Sequence, residues 1–457
     1  MKPRHWISAA IAIAAVPAAA IAVPAATGRF SNWSALSPAA DSQSDAPSGA
    51  PGGVNGLTGW VYVLSNQESG NSVIAFQRDA YGNLTEKATV PTGGLGAGRG
   101  HDLEDASDAL VSQSALIASP DRKFLFAVDA GSSEVSVLSI KDGTPKAVDR
   151  VPSGGTRPVS LTYHGNLLFV ANAGGLAPNA DGPQATASGF TVGSDGKLTA
   201  VEGSTTNLPG GSKAGPSQVS FSPDGSKLVV TERQTNTIDV FPVDEDGKLG
   251  TVVTNKSSGA GPFTATFRGN DILLSTEVVG VEFKYGAVTS YRIGADGKLT
   301  VITHSLNTTE LAACWSVDSI LDPSVYYIAN AQSGTIGGVR IDGDGKLSLF
   351  PDDGHLATSR DQHATQDMAL SADGRYLYVL TVGFDEKVAD PRLATHVDGA
   401  PFGGKNTISA WRVEQRGGLT PMPGYGVADD PPTVVSPGVL SVSKGGLPPG
   451  SQGIVAF

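Results

Sequence analysis

Side chains able to do acid–base or substrate-orienting work recur in this chain at one kind of position, directly behind a run of apolar residues. Asn66 follows WVYVLS, Asp129 follows LFAV, Asn172 follows LLFVA and Glu232 follows LVVT. Glu277, Asn330 and Thr381 close ILLST, YYIA and YLYVL in the same way. A carboxylate there can serve as a general acid or base, and amides and hydroxyls can orient a substrate. The same polar groups also cap strand ends and hold the following turns. Glu is a poor turn former, so Glu232 and Glu277 point more strongly to chemistry than the Asn residues do.

Other chemistries are disfavoured. The histidines are scattered (His5 near the start, His164 in a turn, His101, His363 and His396 in long loops), and no two have the spacing of a metal pair. Cys314 is the only cysteine, so neither an intramolecular disulfide nor a thiolate cluster can form. Its context, ahead of Trp315 at the start of an apolar strand, reads as a small buried residue. Glycine-rich GGLGAGRG at Gly93 lacks the flanking strand and helix of a phosphate cradle. The net charge of −12 argues against nucleic acid, which needs a basic footprint. No metal or cofactor is expected.

The elements that position these residues repeat. An outer turn followed by a strand appears seven times: YGNLT at Tyr81, KDGTP at Lys141, SDGKLT at Ser194, EDGKLG at Glu245, ADGKLT at Ala295, GDGKLS at Gly343 and QRGGLT at Gln415. Gly and Asn in such turns supply the positive φ of a tight hairpin. A second template, a small-residue strand, a turn and a strongly apolar strand, is clearest in PSQVSFSPDGSKLVVTE from Pro216 to Glu232. It recurs at Ser114–Asp129, Pro158–Asn172, Pro262–Glu277, Ala312–Asn330 and Gln366–Thr381, giving six complete copies. The first repeat opens at Trp60 with no leading small-residue strand, and the chain ends in GSQGIVAF, which supplies one. These features predict an all-β, seven-bladed β-propeller whose two chain ends complete blade one and remove its open edge.

The first residues read as an export signal, with Lys2 and Arg4 before an Ala-rich apolar stretch and small residues through Ala26. The stretch is short, Pro17 interrupts it, and no charged stop follows, which disfavours a membrane anchor. Residues 27–58 are rich in Pro, Ser, Gly and Ala and read as a flexible linker. The expected organisation is therefore a signal over 1–26, a linker over 27–58 and a propeller over 59–457, in a secreted or periplasmic monomer. The long insertions Thr92–Val111, Gly174–Ser188, Val278–Ala287 and Val382–Lys405 fall on one face, opposite the SPDG-type turns. Loops projecting from one side of a rigid scaffold are where binding usually resides.

The combination of PSQVSFSPDG, LVVTERQTNTIDVFPVDEDGKL and ADGRYLYVL resembles the lactonase family of seven-bladed propellers, which includes 6-phosphogluconolactonase propellers and carboxy-muconate lactonizing enzymes. The resemblance spans Trp60 to Phe457. It implies a small-molecule lactone or ester substrate and either hydrolysis or formation of the ring. In active members a His heads the second blade's inner strand and an Arg-His pair heads the fourth's. The corresponding positions here hold Ser114 and Ser217-Gln218, while Glu232 is retained and Asp129 matches a family acid. A lactone carbonyl gains negative charge as it reacts, and cationic donors stabilise it. Arg157 at the head of the third inner strand, Arg233 and Lys284 are the available replacements.

Glu232, Asp129 and Ser217 are thus expected together at one channel mouth, with Glu232 as acid–base residue and Asp129 and Arg157 beside it. Ser114, Asn172, Ser217, Gln218, Glu277 and Asn330 form the expected substrate-binding set. The alternative is a non-catalytic propeller that uses the same face to bind a carbohydrate, a peptide or a protein.

Overall fold

The computed structural model describes residues 58–98, 108–175, 182–280, 285–359, 364–382, 406–423 and 446–457. The expected signal and all but the last residue of the linker lie outside them, as do His101, His363, His396 and Lys284.

Among the described residues the strands form seven antiparallel sheets that follow one another along the chain. Blade four shows the plan. Its inner strand Pro216–Phe221 pairs with Lys227–Glu232, which pairs with Thr237–Pro242, which pairs with the outer Val253–Lys256. The second strand is buried on both faces between neighbouring blades, hence its continuous apolar run, whereas the outer strand alternates half-buried and exposed residues. Blades three, five and six each carry a fifth short strand.

The turns explain the local order. Ser222 Oγ donates to Asp224 Oδ1 at 2.6 Å, and the Lys227 amide donates back to Ser222 Oγ, so that Gly225 can take φ +73. The same Ser–Asp clasp closes Ser119–Asp121 and Ser371–Asp373. In the outer turns an Asp side chain caps the loop, as where Asp244 accepts from the Asp246 and Lys248 amides.

Apolar clusters lie mostly between blades, with Trp315 edge-on to Phe263 at 4.9 Å as one example. Tyrosines of second strands fasten the outer turn of the next blade: Tyr62 donates to Gly143 O, Tyr327 to Gly417 O and Tyr378 to Gly82 O. The ring closes as the sequence predicts. Ile454–Ala456 pairs with Gly59–Leu64 in the register Val61↔Ala456, Tyr62↔Val455 and Val63↔Ile454. Trp60 and Phe457 exchange backbone hydrogen bonds beyond it, and so do Leu64 with Gln452 and Gly453.

Candidate functional site

Inner strands start on the long-loop face, and four of them start with a register shift. The shifts fall between Pro158 and Ser160, Pro216 and Gln218, Ala313 and Ser316, and Thr365 and Met368. A bulge of this kind re-aims side chains and is common beside active sites. Here it frees Ser217, Cys314, Trp315, Gln366 and Asp367 from regular alternation at the channel mouth.

Residues 108–114, from the end of the first long insertion to the head of blade two's inner strand, run across this mouth. Arg157 Nη2 donates to Ala109 O at 2.5 Å, the Leu110 amide to Gln452 Oε1, and Trp315 Nε1 and Gln452 Nε2 both to Ser112 O. Gln113 then spans the axis. Its carboxamide exchanges two hydrogen bonds with the backbone of Ser316 in blade six, 2.9 and 3.0 Å long, while its own amide donates to Ser217 O in blade four. Gln218 makes a similar link from blade four to blade five through the Ala265 amide.

Charged groups gather around this crossing. Arg157, at φ +58, is almost fully buried. Arg233 lays its stem over Gly261, and its charge reaches the Cys314 thiol. Burial and nearby Asp108 push that thiol far above its usual range, so it is no nucleophile at neutral pH. Asp367 is pushed up to about 8, by burial first and by Asp108 among the remaining causes. It therefore carries a proton at neutral pH. Asp108 and Asp367 were not among the residues singled out from sequence.

The strand-end ring sits elsewhere. Asn66, Asp129, Asn172, Glu232, Glu277, Asn330 and Thr381 are at most 1% exposed. Their side chains fasten loops instead of facing the channel. Asp129 accepts from Asn71, Thr92 and Ser136, tying blade two to blade one, and burial raises its pKa. Asn172 donates to Ser153 O and Thr186 Oγ1, and Asn330 to Thr335 Oγ1. Glu277 accepts from the Gly259 amide, Thr289 and Ser305. Glu232 accepts from the Gly210 amide at 3.0 Å, Thr235 at 2.6 Å and Thr237 at 3.2 Å.

Asp129 and Glu232 thus occupy separate hydrogen-bond networks in different blades; Glu232 stands opposite Pro216 beside Ser217 on the paired inner strand, with no side-chain hydrogen bond between them, and Asp129 lies in blade two. Arg157, Ser217 and Gln218 do reach the crossing, as does Ser114, whose carbonyl accepts from the Leu161 amide. The Ser217 hydroxyl is buried there without a hydrogen-bond partner.

Blade four differs from the others at one position. Facing the residue two before each strand end stand Val73, Ser136, Ser188, Thr289, Gly337 and Ser409, but Asp239 in blade four. Burial, and then the adjacent Glu232 carboxylate, push the Asp239 carboxyl well above its usual range. The folded protein therefore holds a proton that the unfolded chain releases near pH 4. Stability from this group is complete below that pH and is lost as pH rises toward the folded value. Asp239→Ser is expected to unfold at higher urea than the native chain, with a gain that grows from pH 5 to pH 8 to about 1–2 kcal/mol. An offset equal at both pH values would mean that Asp239 is ionised in the fold.

The family model described as lactonase, 7-bladed beta-propeller, matches residues 57–175 and 185–277. Among solved structures, the fold superposes on a candidate 6-phosphogluconolactonase from Bacteroides fragilis with a TM-score of 0.55 and 19% identity, covering 82% of this chain and 96% of that one. A periplasmic gluconolactonase from Pseudomonas aeruginosa gives 0.56 and 16%, covering 88% and 99%. A functionally unknown protein from Desulfotomaculum acetoxidans gives 0.56 and 13%, covering 87% and 99%. At these identities the likeness is one of fold. No curated protein matches the chain.

Proposed function

As a lactonase-type seven-bladed β-propeller, this chain is, we propose, an exported hydrolase that opens a small lactone or related ester at the long-loop mouth of its channel. Water adds to the carbonyl carbon, the ring C–O bond breaks, and the alkoxide takes up a proton to give a hydroxy acid. The step needs donors for the oxyanion and a group to move the proton.

The observation that carries this reading is the convergence of Arg157 and Arg233 on the crossing formed by residues 108–114, beside the buried acids Asp108 and Asp367. Two guanidinium groups in a largely buried setting stand in for the Arg-His pair expected from the family resemblance. Glu232 remains the acid–base candidate carried by the family resemblance, its carboxylate held by the Gly210 amide, Thr235 and Thr237. The signal-like pattern read from the first residues is the basis for proposing a role outside the cytoplasm, where phosphorylated sugar lactones are scarce, so the proposed substrate is unphosphorylated.

The test is a pH-stat screen of sugar and alkyl lactones and aryl esters on purified protein. Steady acid release from at least one lactone, abolished in Arg157→Met, is the expected result. No turnover of any lactone or ester would overturn the proposal.

A further inference from the structure

On the outer side of blade six, the short strand His355–Thr358 pairs with the third strand, Thr335–Ile341, as Thr335↔Thr358, Ile336↔Ala357 and Gly337↔His355. Residues three apart in a regular strand point to opposite faces. Here the register slips between Ile336 and Gly337, so Leu356 is the extra residue and His355 and Thr358 share a face. Glycine opposite the slip permits this, since a Cβ on Gly337 would stand 2.9 Å from the Gly354 carbonyl oxygen. Leu356 folds over Gly338 on the other side, where a Cβ would meet it at 2.7 Å.

The shared face carries a chain of three side chains. Thr358 Oγ1 and His355 Nε2 are 3.0 Å apart, and His355 Nδ1 lies 2.9 Å from Glu310 Oε1. A carboxylate only accepts, so Nδ1 carries the ring proton and Nε2 is left to accept from the Thr358 hydroxyl. A hydroxyl on a base that a third group orients is the arrangement of an activated nucleophile. The segment around Glu310 is pinned in place. Its carbonyl accepts from the Gly286 amide, the Leu311 amide donates to Ser333 Oγ, and Thr309, at φ +64, donates its hydroxyl to Asp353 O. Positive φ on a β-branched residue is strained backbone, which recurs at functional sites. The Ser359 amide donates to Gly334 O, so Thr335 and Thr358 form a non-hydrogen-bonded pair. The Thr358 amide therefore points off the outer edge of the sheet, where it can donate to the oxyanion of an acyl group on its own Oγ. The strand-end clasps are sealed, at most 1% exposed, whereas His355 is 40% and Glu310 17% exposed and Thr358 is half-buried.

We propose that Thr358, His355 and Glu310 form a second hydrolytic site, which takes a small uncharged carboxylic ester. Thr358 Oγ bonds to the carbonyl carbon while its proton passes to His355 Nε2. The ester C–O bond then breaks, the leaving oxygen takes that proton, and the acyl group stays on Thr358. Water adds by the same route, releasing the acid and restoring the hydroxyl. Glu310 is a positioning residue, and with Asp353 also beside His355 an anionic ester would be repelled. The inner, second and third strands of blade six separate this site from the channel, and it does not depend on the lactone reading.

The experiment treats the full chain with a biotinylated fluorophosphonate, which phosphonylates such a hydroxyl with loss of fluoride, and locates the adduct by peptide mass. An adduct on Thr358 is expected, and p-nitrophenyl acetate quenched in acid should leave an acetyl group on the same residue. Thr358→Val, nearly isosteric, should take neither, whereas Thr358→Ser should keep both on a peptide lighter by one methylene. His355→Gln should slow labelling about a hundredfold. Glu310→Leu should slow it about tenfold at an unchanged unfolding midpoint, and Glu310→Gln, whose oxygen still accepts from Nδ1, should recover part of that loss. No adduct on the native chain, an adduct on Ser217 at the channel instead, or equal labelling rates in the native chain and His355→Gln would overturn the proposal. If Thr358→Val does not fold, the adduct's position in the native chain and in Thr358→Ser decides alone. A chain that is labelled on Thr358 but opens no lactone would sink the channel reading and leave this one standing.

Discussion

Removal of Gly450–Phe457 is expected to lower the thermal midpoint by about 6 °C or more and to leave a chain that self-associates. The segment supplies the inner strand of blade one and buries Ile454 against the blade's apolar interior. Losing two or three such side chains and their strand hydrogen bonds costs about 5 kcal/mol or more. In a domain of this size that corresponds to a shift of roughly the stated magnitude. Self-association follows from the bared edge of Gly59–Leu64, whose unpaired backbone groups would template another chain. Gln452 leaves with the segment, so the Leu110 amide and Ser112 carbonyl lose their partner as well. Calorimetry and light scattering on the truncated and full chains provide the check; equal midpoints would mean that the ring is held shut elsewhere.

Glu232→Gln is expected to lower kcat on a lactone substrate by roughly a hundredfold while changing KM little. Gln preserves the shape of the side chain. Its oxygen can still accept from the Gly210 amide, and its NH2 can donate to the Thr235 and Thr237 hydroxyl oxygens or to Asp239. The fold should therefore survive and the kinetics should isolate the charge. A purely structural Glu232 predicts the opposite pattern, a shifted unfolding midpoint with an unchanged rate. In that case Asp367, protonated and nearer the crossing, becomes the acid to substitute next.

The architecture was legible because every blade repeats the same local chemistry. Asp-Gly turns, Ser-x-Asp clasps and doubly buried second strands each leave a mark within about a dozen residues. The closing strand was legible for the same reason, since GSQGIVAF carries the inner-strand pattern. The strand-end polar residues were harder to place. An Asn, Asp or Glu behind an apolar run looks alike whether it faces the channel or ties down a loop from the preceding blade. That choice is fixed by partners such as Gly210 for Glu232 and Gly259 for Glu277, which lie outside the local pattern.

The bulges were also silent. A slip between Thr365 and Met368 brings Asp367 to the channel, and strict alternation gives no hint of it. One signal was present. Ser-Gln or Thr-Gln heads four inner strands, at Gln113, Gln218, Gln366 and Gln452, and three of these carboxamides link one blade to another.

The Gln113 crossing has a consequence for traffic through the molecule. With blade two pinned to blade six through Gln113, the described residues place an obstruction on the path between the two faces. If the proposed lactone opening takes place above the crossing, the hydroxy acid is expected to leave by the opening through which the lactone came. It must therefore compete with the next lactone for that opening, and accumulating product slows the reaction in a way that added substrate relieves.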